Sequence, residues 1–286
     1  NSMKRYMTTL AMLAALTIAG GAKAWADDKG GSLLDEVLAR GYVTVGTGST
    51  NAPFHFLDDK GELTGFDIDI AKGIARGLFN DETKVKFVDQ GADARIANLL
   101  TKKVDITCQF MTVTPGRAQQ VEFTIPYFTQ TTGLLLLKDG KYKSYDELKK
   151  AGADLTVSSL QNVFTEEIIH RALPQAKVDQ YESQDATVQA LNSGRVDVAA
   201  IDSSNVRWLM KQEPERYADA GYTWAPNSFA CAVRKGDQIW LNFVNTTLHE
   251  MMTGFEFDYY SASFEKWFGI KLDPPSFGVP SEFRSR

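Results

Sequence analysis

Cysteine is almost missing from this chain of 286 residues: there are two, Cys108 and Cys231, beside three histidines. That is too few for a metal centre or a disulfide scaffold. A single bridge between them is open, and so is a pair of small buried hydrophobes in strands. An excess of basic charge is missing as well. With 31 Lys and Arg against 36 Asp and Glu, the net charge is −5 and the signs are interspersed. A partner bound through phosphate neutralisation needs a basic patch, so no nucleic acid is expected. No Ser-His-Asp or Cys-His spacing, H-E-x-x-H helix, Walker loop or dinucleotide glycine fingerprint occurs. These absences favour binding without catalysis, metal or cofactor.

Long apolar runs are scarce too. One, "MTTLAMLAALTIAGGA" at 7 to 22, follows Lys4 and Arg5 and is too short and too rich in small residues to span a bilayer. It reads as a secretory signal, with Asn1 and Ser2 ahead of Met3 as additions to the natural start. Cleavage after Ala24 or Ala26 would fit, and the charges of Asp27, Asp28 and Lys29 favour the second. We expect residues 1–26 to be removed, leaving an exported, soluble, monomeric protein. The next best apolar run, "TTGLLLL" at 131 to 137, is strand-length and ends at Lys138.

What is present is strand and helix in alternation, twice. "YVTVGT" (42–47), "FDIDIAKGIARGLF" (66–79), "KVKFV" (84–88), "ARIANLLTKK" (94–103) and "VDITCQF" (104–110) read as strand, helix, strand, helix, strand, after a helix framed by Ser32 and Gly41. A hairpin is expected around Asp59-Lys60-Gly61. The pattern then repeats in "DLTVSS", "NVFTEEIIHRAL", "AKVDQY", "DATVQALNSG" and "VDVAAID". "LLTKKVDITCQFMT" and "LNSGRVDVAAIDSS" are visible echoes of each other. Two α/β units, each a mostly parallel sheet flanked by helices, are the natural inference. The last strand and helices return to the first unit. That makes lobe one 27–132 plus 229–286 and lobe two 133–228, joined by two hinge connections near Thr131–Leu135 and Ser228–Cys231.

Ligands of open parallel sheets lie beyond the strand C-termini. That rule selects Gly48, Ser49, Thr50 and Asn51 after the first strand, Met111, Thr112 and Arg117 after "VDITCQF", and Ser158 to Asn162 and Asp202 in the second unit, with Gln109 and Phe110 at the strand end as further pocket candidates. Arg117 and Asp202 are the full charges in this set. A guanidinium fork opposite a carboxylate suits a zwitterion. On spacing alone Arg117 is equally a structural charge, and Asp202 equally the N-cap of "SSNVRWLMKQ". Phe110 and Phe164 suit a core better than a ligand face. Of the histidines, His170 and His249 fall within helices, and His55 has no evident partner.

With these residues in place the chain resembles the bacterial extracellular solute-binding proteins of family 3, the periplasmic receptors of polar amino acid ABC transporters. The resemblance runs from "VTVGTGSTNAPFHF" through "GELTGFDIDIAKGIA", "KKVDITCQFMTVTPGRAQQVEFTIPYF" and "GRVDVAAID" to "FEKWFG". It implies a periplasmic binding protein type II fold, with Thr112 and Arg117 on a ligand α-carboxylate and Asp202 on the α-ammonium. It also implies a membrane permease as partner. Relatives often carry an acid at the position of Gly48 and an aromatic at that of Asn51, and cation binders use that acid. Its absence here favours a polar uncharged or acidic amino acid, the latter if Arg95 reaches the pocket. The second-lobe loop "SSLQN" stands where relatives have Ser-Gly-Thr, offering side-chain hydrogen bonds from Ser159, Gln161 and Asn162. Alternatives are a non-amino-acid carboxylate, or a cyclohexadienyl or arogenate dehydratase on the same scaffold. That enzyme needs a general acid, and the cleft loops supply no Glu or Lys beside Asp202.

Overall fold

The computed structural model of the protein describes residues 31–161 and 164–275. The expected signal segment and Asn162 lie outside them. Helix α1 (Leu33–Arg40) starts at Ser32, whose hydroxyl accepts from Leu34 N, and stops at Gly41, whose φ of 81° supplies the left-handed turn. Strand β1 (Val43–Thr47) follows. Three short strands, β2 (Thr50–Asn51), β3 (His55–Leu57) and β4 (Leu63–Thr64), then pair antiparallel as a separate small sheet. Next come α2 (Phe66–Phe79), β5 (Val85–Asp89), α3 (Arg95–Leu100), β6 (Ile106–Thr112), the single turn α4 (Pro115–Ala118) and β7 (Glu122–Phe123).

The ten-residue strand β8 (Phe128–Leu137) leads into α5 (Tyr145–Ala151), β9 (Thr156–Leu160), α6 (Thr165–Ala172), β10 (Lys177–Tyr181), α7 (Gln184–Asn192), β11 (Val198–Asp202), α8 (Ser203–Gln212) and β12 (Tyr217–Asp219). A second ten-residue strand, β13 (Trp224–Val233), returns to α9 (Gln238–Thr253) and α10 (Phe257–Phe268). The main sheet runs β10-β9-β11-β8-β13-β6-β1-β5. Its ends are two parallel blocks, β10, β9, β11 and β6, β1, β5. Between them β8 and β13 pair antiparallel with each other and with the neighbouring block. The expected alternation is therefore present. The strands that cross between the blocks are longer than sequence reading placed them, because their apolar runs merge with polar flanks that still pair.

Helices α2, α9 and α10 cover β1 and β6 with a core of aromatic rings: Phe66 lies 5.1 Å from Phe268 and 5.6 Å from Phe128, and Phe54 5.4 Å from Phe229. Such edge-on pairs contribute about 0.5–1.5 kcal/mol each beyond burial. The other block has its own apolar clusters around Leu134, Val157 and Val198 and around Leu135, Leu191 and Ile201. From α8, Trp208 packs on Phe56 at 6.0 Å and Trp267 at 5.8 Å.

Cys108 and Cys231 are bonded, with Cα atoms 4.4 Å apart and both side chains fully buried. The bridge joins β6 to β13 at an irregularity where Ala230 faces Met111 but Ala232 faces Thr107. Two steps along β13 thus match four along β6. The surplus residues on β6 bulge at Gln109 and Phe110, and Phe110 takes a φ of 29°. The bridge closes a long loop, with a sequence separation of 123. Replacing both cysteines by alanine is therefore expected to lower stability by about 2–5 kcal/mol in urea unfolding, with dithiothreitol reproducing the loss only after unfolding exposes the bond.

Candidate functional site

Two charged side chains, Arg95 and Arg117, lie together near the end of β6, and a third, Asp202, stands at the end of β11. Arg117 arrives first by local structure: Thr114 caps the single-turn α4 by accepting from Arg117 N at 3.3 Å, and Pro115 opens the turn. The turn folds the side chain back over the strand, where Nη1 donates to the Thr112 carbonyl at 2.8 Å. Arg95 begins α3 and is only 8% exposed. Its Nε donates to Ala92 O at 2.8 Å and its Nη1 to Gln109 O at 3.0 Å. Burial and the like charge of Arg117 push Arg95 down to about 10, and burial lowers Arg117 as well. Backbone carbonyls orient both guanidiniums. Among the described residues neither makes an ion pair.

Asp202 ends β11, opposite Thr132 of β8. It occupies the N-cap position of α8, yet its carboxylate makes no capping hydrogen bond, so capping does not account for it. Burial pushes it up to about 6, against a small lowering by Gln130. Gln130 Oε1 accepts from Ser204 Oγ at 2.5 Å, while its Nε2 is buried without a properly formed hydrogen bond. No Lys or Arg pairs with Asp202 among the described residues. An unpaired carboxylate on one block and two unpaired guanidiniums on the other form a complementary set.

Behind Arg95 lies a wall of buried polar groups. Asp67 is fully buried and accepts from Tyr127 Oη at 2.6 Å and from Phe110 N at 2.9 Å, with His55 Nδ1 2.8 Å away. Desolvation raises the Asp67 carboxyl, and the bonds from His55, Tyr127 and Phe110 oppose it. The same burial and the Asp67 charge push the Tyr127 phenol well up. His55 Nε2 is 3.0 Å from Asn51 Nδ2, and Phe110 stacks on the imidazole at 4.7 Å.

The other candidates fall into place around this frame. Thr112 and Asn51 are half-buried at strand ends, and Ser49 is half-buried in the turn after β1. Gln161 is exposed, its backbone N bonded to Tyr181 O at 2.7 Å. Gln109 differs from the expectation of a ligand contact. It is 2% exposed, takes Gln90 Nε2 on its Oε1 at 3.0 Å and donates Nε2 to Gln90 O at 3.1 Å, so its amide is spent inside the wall. Ser159 is likewise engaged, with Ala200 O at 2.9 Å. Phe164, read as a possible core residue, is 53% exposed. His55 has partners after all. The signal that could have found them is Asp67, a charge on the apolar stripe of α2 shared by Ala71, Ile74 and Leu78, where an unpartnered carboxylate is not tolerated.

Residues 43–270 match the family described as bacterial extracellular solute-binding proteins, family 3. The ABC transporter glutamine-binding protein GlnH of Bacillus subtilis is 32% identical over 217 residues, covering 75% of this chain and 75% of that protein. The L-cystine-binding protein TcyJ of Escherichia coli is 29% identical over 91% of this chain and 94% of its own length. Among solved structures, an ancestral amino acid-binding protein, AncCDT-1, described as a precursor of cyclohexadienyl dehydratase, superposes with a TM-score of 0.71. It is 35% identical, over 83% of this chain and all of that one. The same AncCDT-1 is also described as a cationic amino acid solute-binding protein.

The raised Asp202 carboxyl has a consequence for stability. Its folded value of about 6 lies above the ordinary 3.8, so its contribution is fully present below pH 4 and is lost as pH rises through 6. Asp202→Asn is therefore expected to melt roughly 2–5 °C above the unliganded native protein at pH 7.5, with the gap closing at pH 4 in a calorimetric series.

Proposed function

The chain belongs to the bacterial extracellular solute-binding proteins, family 3, and from that premise we propose that it is an amino-acid receptor of an ABC importer. One observation carries the reading: Arg95 is buried, Arg117 and Asp202 are partly so, and among the described residues none of them makes an ion pair. A zwitterion supplies both missing partners. In this reading Arg117 and the Thr112 hydroxyl take the α-carboxylate, Asp202 takes the α-ammonium, and Ser49, Asn51, Phe110 and the 161–162 loop surround the side chain. Residues 27–132 and 229–286 act as one lobe, residues 133–228 as the other, and β8 with β13 as the hinge. Asn205 Nδ2 donates to Ala52 O at 2.6 Å across the seam, a contact suited to a closed form. A leader at 1–26 would deliver the protein to the periplasm and a permease would receive the ligand.

For the side chain we favour an acidic amino acid over a cationic one. The names of the relatives span glutamine, cystine and cationic ligands, so the choice rests on the residues here. Gly48, where cation binders among relatives carry an acid, has no room for one: a Cβ would stand 2.8 Å from His55 Cδ2 and 2.9 Å from Gln109 Nε2. Arg95 beside Arg117 adds a second positive charge, which repels a cationic side chain and suits a second carboxylate. Among the described residues, burial and Gln130 are what act on Asp202, with no acid or lysine among them, which favours binding over a dehydratase.

In a thermal-shift and titration panel, L-glutamate and L-aspartate should stabilise the protein more than L-arginine or L-lysine; the reverse order would overturn the choice of side chain. Arg117→Ala should weaken binding on the order of a hundredfold or more, as expected when a buried charged hydrogen bond loses one partner. Because the ligand ammonium needs Asp202 ionised, affinity should be flat above about pH 7 and fall towards tenfold per pH unit below 6. Prephenate or arogenate should yield no aromatic product.

A further inference from the structure

We propose that His55 is a positioning residue of the binding site: it holds the Asn51 amide nitrogen inward and so presents the Asn51 Oδ1 to the cleft as a fixed acceptor for a ligand N–H. The inference rests on the amino-acid site proposed above and assigns a role to a histidine inside the wall, out of reach of solvent.

Polarity propagates along the contacts. Phe110 N–H and Tyr127 O–H both donate to Asp67, at 2.9 and 2.6 Å, so this carboxylate is an acceptor. Its Oδ2, already taking the Phe110 hydrogen, is a poor seat for a proton, and the hydrogen shared with His55 therefore sits on Nδ1, 2.8 Å away. With Nδ1–H taken as the ring's one N–H, Nε2 is left bare and able only to accept. The atom opposite that lone pair, at 3.0 Å, is Asn51 Nδ2. Turning the amide over would set its oxygen against the lone pair, so one orientation survives.

The ring itself has no freedom. His55 is 0% exposed and Phe110 lies on it at an interplanar angle of 28°. Asp67 is the charged group touching it; Tyr127 and Arg95 act on it through Asp67. Asn51 Oδ1 has no hydrogen bond among the described residues, and the next residue, Ala52, is the one whose carbonyl receives Asn205 from the opposite side of the seam. The free acceptor therefore stands where the two lobes meet.

The test uses the full mature protein. In histidine-resolved 15N spectra at pH 7, His55 should show a protonated Nδ1 and a bare Nε2; an Nε2–H tautomer or an imidazolium would overturn the proposal. With L-glutamate and L-glutamine as titration probes, His55→Asn, which keeps a donor towards Asp67 but lacks the acceptor for Asn51, should bind roughly tenfold more weakly. Asn51→Ala should lose a similar factor, and the double variant should be no worse than the weaker single. Additive losses, or an unchanged affinity in His55→Asn, would reject it. If His55→Asn fails to fold, Asn51→Ala decides: it must weaken binding and shift the His55 Nε2 resonance, and a change in neither rejects the role. If the wild type binds neither probe, the acidic side-chain reading fails, and the same variants are judged with L-cystine and L-arginine.

Discussion

Holding Arg95 buried and Arg117 and Asp202 partly buried, with no ion pair to any of them among the described residues, is the constraint to which the rest of the structure answers. A charge in a protein interior is destabilising unless partnered. Here, among the described residues, the guanidiniums are tethered to the carbonyls of Thr112, Ala92 and Gln109, and Asp202 lies beside a half-satisfied Gln130. Carbonyls orient a cation without neutralising it, which leaves its field directed outwards. The offsetting stability comes from elsewhere: the aromatic cluster between α2, α10 and β13, and the buried Cys108–Cys231 bridge directly behind the bulge.

The antiparallel pair β8 and β13 connects that arrangement to the fold. Strand β8 borders the block that ends in β11 and β13 the block that begins with β6; β8 supplies Phe128 to the aromatic core and Gln130 and Thr132 to the surroundings of Asp202, and β13 supplies Phe229 to the same core. The bulge opposite β13 turns Phe110 out of strand geometry, which points its amide at Asp67 and its ring at His55. A rigid disulfide on one side and a buried carboxylate on the other hold a backbone conformation that β-strand preference alone would not select.

Much of this was legible in the sequence because the signals are local. The alternation of strand and helix, the Ser32 and Gly41 caps, the Asp59-Lys60-Gly61 turn and the Asp202 strand end all follow from hydrophobic periodicity, turn chemistry and the rule that loops after parallel strands line a cleft. The wall was not legible. Gln109 looks like a pocket residue by position, and only its pairing with Gln90, just past the end of β5 two strands away, shows that its amide is spent inside. His55 looked isolated because its partner sits on the next helix, and the length of β8 was hidden by polar residues that still pair.

By itself, then, the sequence determined two similar α/β units, the order of their elements, and a guanidinium and a carboxylate at strand ends of opposite units, since each of these depends on residues within one helix turn or one strand of each other. Tertiary structure alone decided that Cys108 meets Cys231, that Arg95 stands beside Arg117, that no side chain fits at Gly48, and that Asp67, His55 and Asn51 form one chain of hydrogen bonds. Those depend on which faces pack together, and packing brings together residues whose separation along the chain carries no trace of their contact.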